Sequence, residues 1–487
     1  MAPDVAESPN PMHPGSNSLG QFLRKDRRFL ILAALAAVAL RVFFLLRFSL
    51  LTDDSFIYGE IAKNWLQHGV YGQTSGQGPE PTFIRLPGYP LFLIAVWVVA
   101  GVEHYRAVLA AQVAFDVVTC FVVADLARRI ASDRVAKIAF LLTALCPFFA
   151  NYCAVALTET LAIFFAALAM DFAVGAFDEP SRRPRWIACG IALALGILLR
   201  PDGGILLVIV GLFAVGHVVQ QRSRQYLIGV VLTGAIALAP LVSWTVRNWR
   251  TFHVFQPLTT ETATMPWEFV PRGFNRWART WMVDYSSVED VWFNVDGGAI
   301  KISDLPFRAF DSPEQRVATQ KVFEEYAANG NSISPQIDAE FGALARQRIS
   351  THPIRYYVTL PLMRAADLWL RPRTEMLPID PHWWRLHDDD PRQFWWSVAL
   401  GLLNLIYVIA ALVVLIKGQV RYAAFFVTFA LARTAFLAWM PNPEPRYVLE
   451  CYPALLAFAA AGLRGRTRSR VVERAVGHSE LSAKVFR

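Results

Sequence analysis

The sequence predicts an all-α polytopic membrane protein, and three observations carry that expectation. The 487 residues are 55% hydrophobic and only 18% charged, too little charge to cover a soluble surface of that length. Mean hydropathy is positive, at +0.34. Apolar runs long enough to cross a bilayer recur along the chain, about 10 of them with a range of about 10–12. The net charge of +8 lies largely in short clusters between these runs. It therefore reports topology, and no nucleic-acid partner is expected.

Taken in order, residues 1–28 read as a disordered cytoplasmic N-terminus ending in the basic patch Arg24, Lys25, Arg27 and Arg28. No small-residue cleavage site is evident, so the first span is expected to be a retained anchor. Seven spans, near 29–51, 104–127, 136–154, 158–177, 186–199, 203–220 and 226–247, make a module over 29–247. Three more, near 393–416, 421–440 and 447–464, close the membrane region, and 465–487 form a basic cytoplasmic tail. The clusters Arg128/Arg129/Arg134/Lys137, Arg182/Arg183/Arg185, Arg222/Arg224 and Lys417/Arg421 fall on one side if these spans alternate. The excess of basic residues on cytoplasmic loops makes that side cytoplasmic, with both termini there, in a plasma (bacterial inner) membrane. Leu86–Gly101 is short and opens with two prolines, and Pro353–Leu370 carries Arg355, Arg364 and Asp367. Both are expected to lie along the outer surface rather than cross.

Two long segments remain outside. The first, 52–103, is amphipathic: Asp54, Tyr58, Ile61 and Trp65 recur on one helix face with an acid at its start. The second, 248–392, is expected to be a small, mainly helical outer domain, with Ser312-Pro313-Glu314 opening a helix that Gly330 stops. Cys120, Cys146, Cys153, Cys189 and Cys451 lie in or beside apolar runs and read as packing residues. Nucleotide loops and the HExxH metal motif do not occur, no cofactor is expected, and nothing indicates a divalent metal.

The chemistry-bearing residues gather at the outer ends of spans. Asp53 and Asp54 follow the first span; they could serve only the helix terminus, or a carboxylate there could act as a base or ligand a metal. Glu159 opens an apolar run, where charge is costly. Arg85, Arg200, Arg247 and Arg446 break the charge asymmetry. One such arginine would simply reach for the interface, but four beside two acids suit a lipid phosphate, whose oxygens match guanidinium forks. His68 reads as a helix-end residue, His382, Trp383 and Trp384 as interface anchors, and Asp388 to Asp390 as a solvated acidic triplet.

In this order, Asp54-x-x-x-Tyr58-x-Glu60, Arg85-x-Pro87-Gly88-Tyr89-Pro90, Glu159, Leu199-Arg200-Pro201, Arg247-Asn248-Trp249 and Glu444-x-Arg446-Tyr447 resemble the bacterial GT-C glycosyltransferases. That superfamily includes the protein O-mannosyltransferases and the aminoarabinose transferase of lipid A. The resemblance covers roughly residues 25–260 and 420–463. It implies the GT-C fold, a polyprenyl-phosphate-sugar donor, and a lipid, glycan or protein acceptor. It also implies Asp54 as base, with Asp53 and Glu159 beside it as catalytic residues. Arg85 becomes the main phosphate ligand, and Tyr58, Arg200, Arg247, Arg446 and Tyr447 contact phosphate or sugar. Many relatives have Asp-Glu where this chain has Asp53-Asp54, which leaves the choice of base open. A secondary transporter or lipid flippase would need ionisable residues near mid-membrane and internal repeats. Only Asp116, Asp171 and Arg41 fit that position, and no repeat is visible. An O-antigen polymerase or ligase would concentrate its basic residues in later loops, whereas the signals here concentrate in the first.

Overall fold

A computed structural model describes residues 19–260, 262–418 and 420–463. The tail 465–487 and residues 1–18 lie outside the described residues. Order begins earlier than expected, because Leu19–Lys25 form a helix, α1, that buries Phe22. There follow α2 (Arg27–Arg47), α3 (Asp53–His68), a hairpin of β1 (Gly72–Ser75) and β2 (Gly78–Pro81), α4 (Gly88–Ala100) and α5 (Tyr105–Ile130). The first half continues through α6 (Asp133–Ala144), α7 (Pro147–Cys153), α8 (Glu159–Asp178), α9 (Arg183–Leu199), α10 (Gly204–Gln221) and α11 (Arg224–Phe252).

Six described helices are long and apolar enough to cross a membrane, and seven if the bent pair α6–α7 counts as one span. The protein is thus an all-α, multi-pass membrane protein. Of the ten expected spans, those at 186–199, 421–440 and 447–464 form shorter helices of 17, 17 and 12 residues. At 1.5 Å per residue, the 13 residues of α4 reach only about 20 Å, short of a hydrocarbon core of about 30 Å.

The bend between α6 and α7 has a chemical cause. Pro147, at the start of α7, has no N–H to continue the α6 ladder, so carbonyls at the end of α6 lose their partners. Arg41 of α2 supplies them, donating to Thr143 O at 2.9 Å and to Ala144 O. Asp116 of α5 neutralises the guanidinium at 2.7 Å, with both side chains at most 2% exposed. These two mid-membrane charges thus cap a broken span. The five cysteines are all buried and unpaired.

Between α11 and the next long helix the chain forms α12 (Arg272–Arg279), α13 (Tyr285–Ser287), α14 (Pro313–Ala328), α15 (Pro335–Thr351), α16 (Leu360–Leu370) and α17 (Leu386–Asp389). Helices α12, α14 and α15 enclose a separate core in which Trp277, Phe323 and Phe341 pack ring against ring. Ser312 caps α14 by accepting from Gln315 N, with Pro313 in the first turn, as the sequence indicates. Asp390, the last acid of the triplet, is structural as well as solvated. It accepts from Arg392 N and Gln393 N and so caps α18 (Pro391–Ile416). The chain closes with α19 (Ala423–Trp439), a tight 3₁₀ turn over Pro445–Cys451, and α20 (Tyr452–Leu463). The hairpin is not foreshadowed in the sequence; its two-residue loop, Gly76-Gln77, lies in a polar stretch without hydrophobic alternation.

Candidate active site

The first long loop is built to hold Asp54 still. Thr52 and Ser55 cap each other reciprocally at the start of α3, so both acids of the pair occupy its first turn, where the helix dipole favours negative charge. Just upstream, Leu50 pairs in parallel with Val155, with Leu50 N donating to Ala154 O at 3.0 Å. This bridge ties the approach to Asp54 to the approach to Glu159, at the start of α8. Gln112 of α5 secures the same turn, donating to Val155 O at 2.8 Å while accepting from Tyr89 of α4.

The hairpin returns the chain to Arg85. Asn64 donates to Gly72 O, Glu60 accepts from Thr74 N, and Tyr71 donates through its hydroxyl to Arg85 O. Gly88 then lets α4 meet the end of α9. A Cβ there would lie 2.6 Å from the carbonyl carbon and oxygen of Leu198, two residues before Arg200. Arg85 and Arg200 are thus brought together by a backbone contact that no side chain could enter without displacement.

At the centre, Arg85 Nη2 donates to Asp54 Oδ1 at 2.7 Å, and Arg446 Nη2 lies 3.8 Å from Asp54 Oδ2. Glu159 is held by Arg200 at 3.2 Å and faces Arg446 at 3.6 Å. The Tyr447 ring lies under Arg200 at 4.3 Å and Arg446 at 5.1 Å, and its hydroxyl donates to Glu444 at 2.7 Å. Arg85 lies 5.7 Å from the Tyr58 ring centroid. Asp54 and Arg85 form the open side, 32% and 19% exposed; Glu159 and Glu444 form a buried floor, at most 4% exposed.

Electrostatics follow from this layout. Burial raises the Asp54 carboxyl, but the guanidiniums of Arg85 and Arg446 and the bond from Arg85 outweigh it, leaving it below the usual carboxylate range. Burial lowers Arg446, yet Glu444, Tyr447, Glu159 and Asp54 hold it well above its ordinary value. The resting site is therefore a set of mutually neutralising ion pairs.

Seven of the nine sequence-derived site residues meet here: Asp54, Glu159, Arg85, Tyr58, Arg200, Arg446 and Tyr447. Asp53 is exposed and takes no part in the cluster's ion pairs among the described residues. Arg247 is a clamp for the first loop rather than part of the ion-pair set: it donates to Thr82 O at 2.7 Å and Tyr71 O at 2.9 Å and lies against Trp244 and Phe252. Four participants were given no role by the sequence. Glu444 carries Tyr447 and Arg446, while Asp202, Arg433 and Glu450 extend the network beneath Arg200. Charges at 433 and 450 inside apolar runs were the signal for the last two. Among the described residues, no group of three or more His, Cys, Asp or Glu side chains is placed to hold a metal ion.

Residues 81–244 match the family described as dolichyl-phosphate-mannose-protein mannosyltransferase. That stretch contains Arg85, Glu159 and Arg200 and stops short of Arg446. Among solved structures, the oligosaccharyltransferase AglB of Archaeoglobus fulgidus, in complex with an inhibitory peptide and a dolichol-phosphate, superposes with a TM-score of 0.52 at 13% identity. The match covers 94% of this chain and 52% of that one. The chain has the GT-C fold. The same archaeal enzyme tethered to an acceptor peptide gives a TM-score of 0.50 at 13% identity, covering 91% of this chain and 50% of that one. ArnT from Cupriavidus metallidurans bound to undecaprenyl phosphate gives 0.46 at 14% identity, with 93% and 63% covered. The chain spans about half the length of the archaeal structures it matches. No curated protein sequence matches it. Within the GT-C fold, the acid–arginine cluster joins the first long loop to the starts of α8 and α10 and to the turn before α20.

Proposed function

We propose that the protein is an integral-membrane glycosyltransferase that moves a sugar from a polyprenyl-phosphate donor to an acceptor at the outer face of the membrane. The observation that carries this reading is the half-open Asp54–Arg85 pair standing on the buried Glu159–Arg446–Glu444 floor. The family match over 81–244 supports a lipid-phosphate sugar donor, and the alternation of basic clusters supports the outer face and cytoplasmic termini. The acceptor is a lipid, glycan or protein.

In this mechanism the donor phosphate engages Arg85, the most exposed guanidinium of the set and the one held by a single carboxylate contact. Arg446 and Arg200 add positive potential from behind, where low polarity strengthens it. Drawing Arg85 toward phosphate loosens its hold on Asp54, whose basicity rises as that pairing weakens. The acceptor oxygen then attacks the anomeric carbon, its proton passes to Asp54, and the bond to the phosphate oxygen breaks with its electron pair leaving on polyprenyl phosphate. One base and in-line displacement give inversion without a covalent intermediate. Glu159 fixes Arg200 and Arg446 and so positions the phosphate.

Mass spectrometry of polyprenyl-phosphate sugars and surface glycans, in cells carrying the wild-type gene, a deletion, Asp54→Asn or Arg85→Ala, tests the reading. The expected result is that one lipid-linked sugar accumulates and one glycan loses that sugar in all three altered strains. Unchanged lipid pools and glycans, with the variants normally expressed and the pathway active, would overturn it.

A further inference from the structure

We propose that the arginine face of α12, with one cavity against residues 260–270 and another against α15, holds the phosphate headgroup of an anionic membrane lipid. Such a site is independent of the transfer chemistry.

Helix spacing gathers the charge. Arg272, Arg276 and Arg279 recur at i, i+4 and i+7, so they share one face of α12 while Phe274, Trp277 and Ala278 enter the domain core on the other. Like charges at this spacing repel unless acids or a bound anion offset them. Here Arg346 of α15 adds a fourth cation. Two cavities, of about 540 and 550 Å³, share Arg276 and Arg279. Thr260, Thr262, Thr264 and Asn275 line the first, and Ser350 and Tyr356 the second. Among the described residues, Glu268 is the one acid on either lining, and its carboxylate accepts from Met265 N at 2.8 Å. Among the described residues, the exposed side chains of Arg272, Arg276 and Arg346 have no ion-pair or hydrogen-bond partner. Several guanidinium forks facing hydroxyls across open space suit the oxygens of a phosphate.

The surroundings select a lipid as the source of that phosphate. Arg279 lies 5.6 Å from the ring centroid of Trp439, the last residue of α19, which seats α12 at the end of the helix bundle. Phe255, Trp267 and Phe269, on the segment leaving α11, are 72%, 67% and 48% exposed. On the other side Ile354, Val358 and Leu362 form an i, i+4, i+8 stripe exposed at 74%, 50% and 65%. An apolar skirt flanking these arginines at a bundle end is the arrangement of a membrane interface, with acyl chains against the skirt and the headgroup at the arginine face. A free polyanion would use the arginines and leave the skirt in water.

The test uses the full chain in nanodiscs of phosphatidylglycerol or phosphatidylcholine, with retained lipid counted by native mass spectrometry after a delipidating wash. The expected result is selective retention of phosphatidylglycerol. The triple variant Arg272→Ala/Arg276→Ala/Arg346→Ala should lower the retention ratio on the order of 10–100-fold, and lysine at the same positions should keep most of it. Equal retention of the two lipids, or an alanine triple that behaves as wild type, would overturn the proposal. So would complete displacement of phosphatidylglycerol by equimolar inorganic phosphate, which reassigns the arginine face to the free anion. If the triple variant does not fold, Arg276→Ala alone, which touches both cavities, decides by the same criteria.

Discussion

Buried arginines serve two different ends in this protein, one in the loop domain and one at the acid–arginine cluster. In the domain, Arg348 is surrounded by neutral acceptors: Thr280 Oγ1, Ala309 O, Gln315 Oε1 and Arg308 O, all within 2.9 Å. Asp311 stands further off, at 3.3 Å. Arg364 likewise donates to Met282 O, Ala438 O and Arg279 O. Burial pushes both guanidiniums down to about 10, since carbonyls compensate only part of the lost hydration. At the cluster the partners are carboxylates, and Arg446 and Arg200 are raised instead. Each of these arginines also faces more than one anion: Arg446 lies 2.6 Å from Glu444 and 3.6 and 3.8 Å from Glu159 and Asp54. Carbonyl-saturated arginines lock a fold, whereas arginines paired with carboxylates can exchange one anion for another.

The sharpest way to break this contrast is to remove one group from each side. Asp54→Asn should lower transfer about 10²–10⁴-fold, the range for loss of a general base. Its cost in stability should stay at or below about 1 kcal/mol, because the Asp54 side chain is 32% exposed. Arg348→Ala should do the reverse. It strands the Ala309 and Arg308 carbonyls, while Asp311 keeps Arg355 at 2.7 Å, for a loss of about 2–6 kcal/mol read as a lower unfolding midpoint in detergent. A normal midpoint with abolished transfer would place Arg348 in the site and erase the distinction. Gly88→Ala is expected to fall between them: displacing α4 from Leu198 by the width of a methyl group misplaces Arg85 relative to Arg200, at a cost of about 10² in rate. Asp53→Asn sharpens the comparison inside the cluster. As an exposed first-turn acid it should cost only about 0.3–1 kcal/mol of stability and leave transfer within a few-fold of wild type. A loss equal to that of Asp54→Asn would make Asp53 the base.

How much of this was legible depended on the range of the signal. Hydropathy marks α2, α5, α8, α10, α11 and α18 because each is a local run, and the 3.6-residue stripe marks α3 for the same reason. Polar residues at span ends stand out in the sequence, but only the Leu50–Val155 bridge and the Gly88–Leu198 contact bring Asp54, Glu159, Arg85 and Arg200 together, and neither contact has a local pattern. Arg247 shows the limit of type-based reading. It shares the position and chemistry of the other span-end arginines, yet the carbonyls of Tyr71 and Thr82 occupy it. Glu444 stood inside the motif that contains Arg446, and its role emerges from the Tyr447 hydroxyl whose hydrogen bond it accepts and from the Arg446 Nε 2.6 Å away. The hairpin over 72–81 escaped because its order comes from Asn64, Glu60 and Arg247 on neighbouring helices, with no apolar alternation of its own.

The smallest expected effect concerns pH, and it bears directly on whether Asp54 rests paired. Its carboxyl is held below the ordinary range of about 3.9, so the stabilisation from its pairing is fully present above that range and disappears as pH falls through the lower folded value. The difference in unfolding midpoint between wild type and Asp54→Asn should therefore be constant from about pH 7 to about pH 5 and close only below about pH 4. A difference that closes between about pH 5 and pH 6 would mean a carboxyl already raised in the resting protein, a base free of Arg85 before any donor arrives. In that case the exchangeable pairing on which the contrast with Arg348 rests would not describe the resting site, and Arg85 would hold phosphate without having to release Asp54.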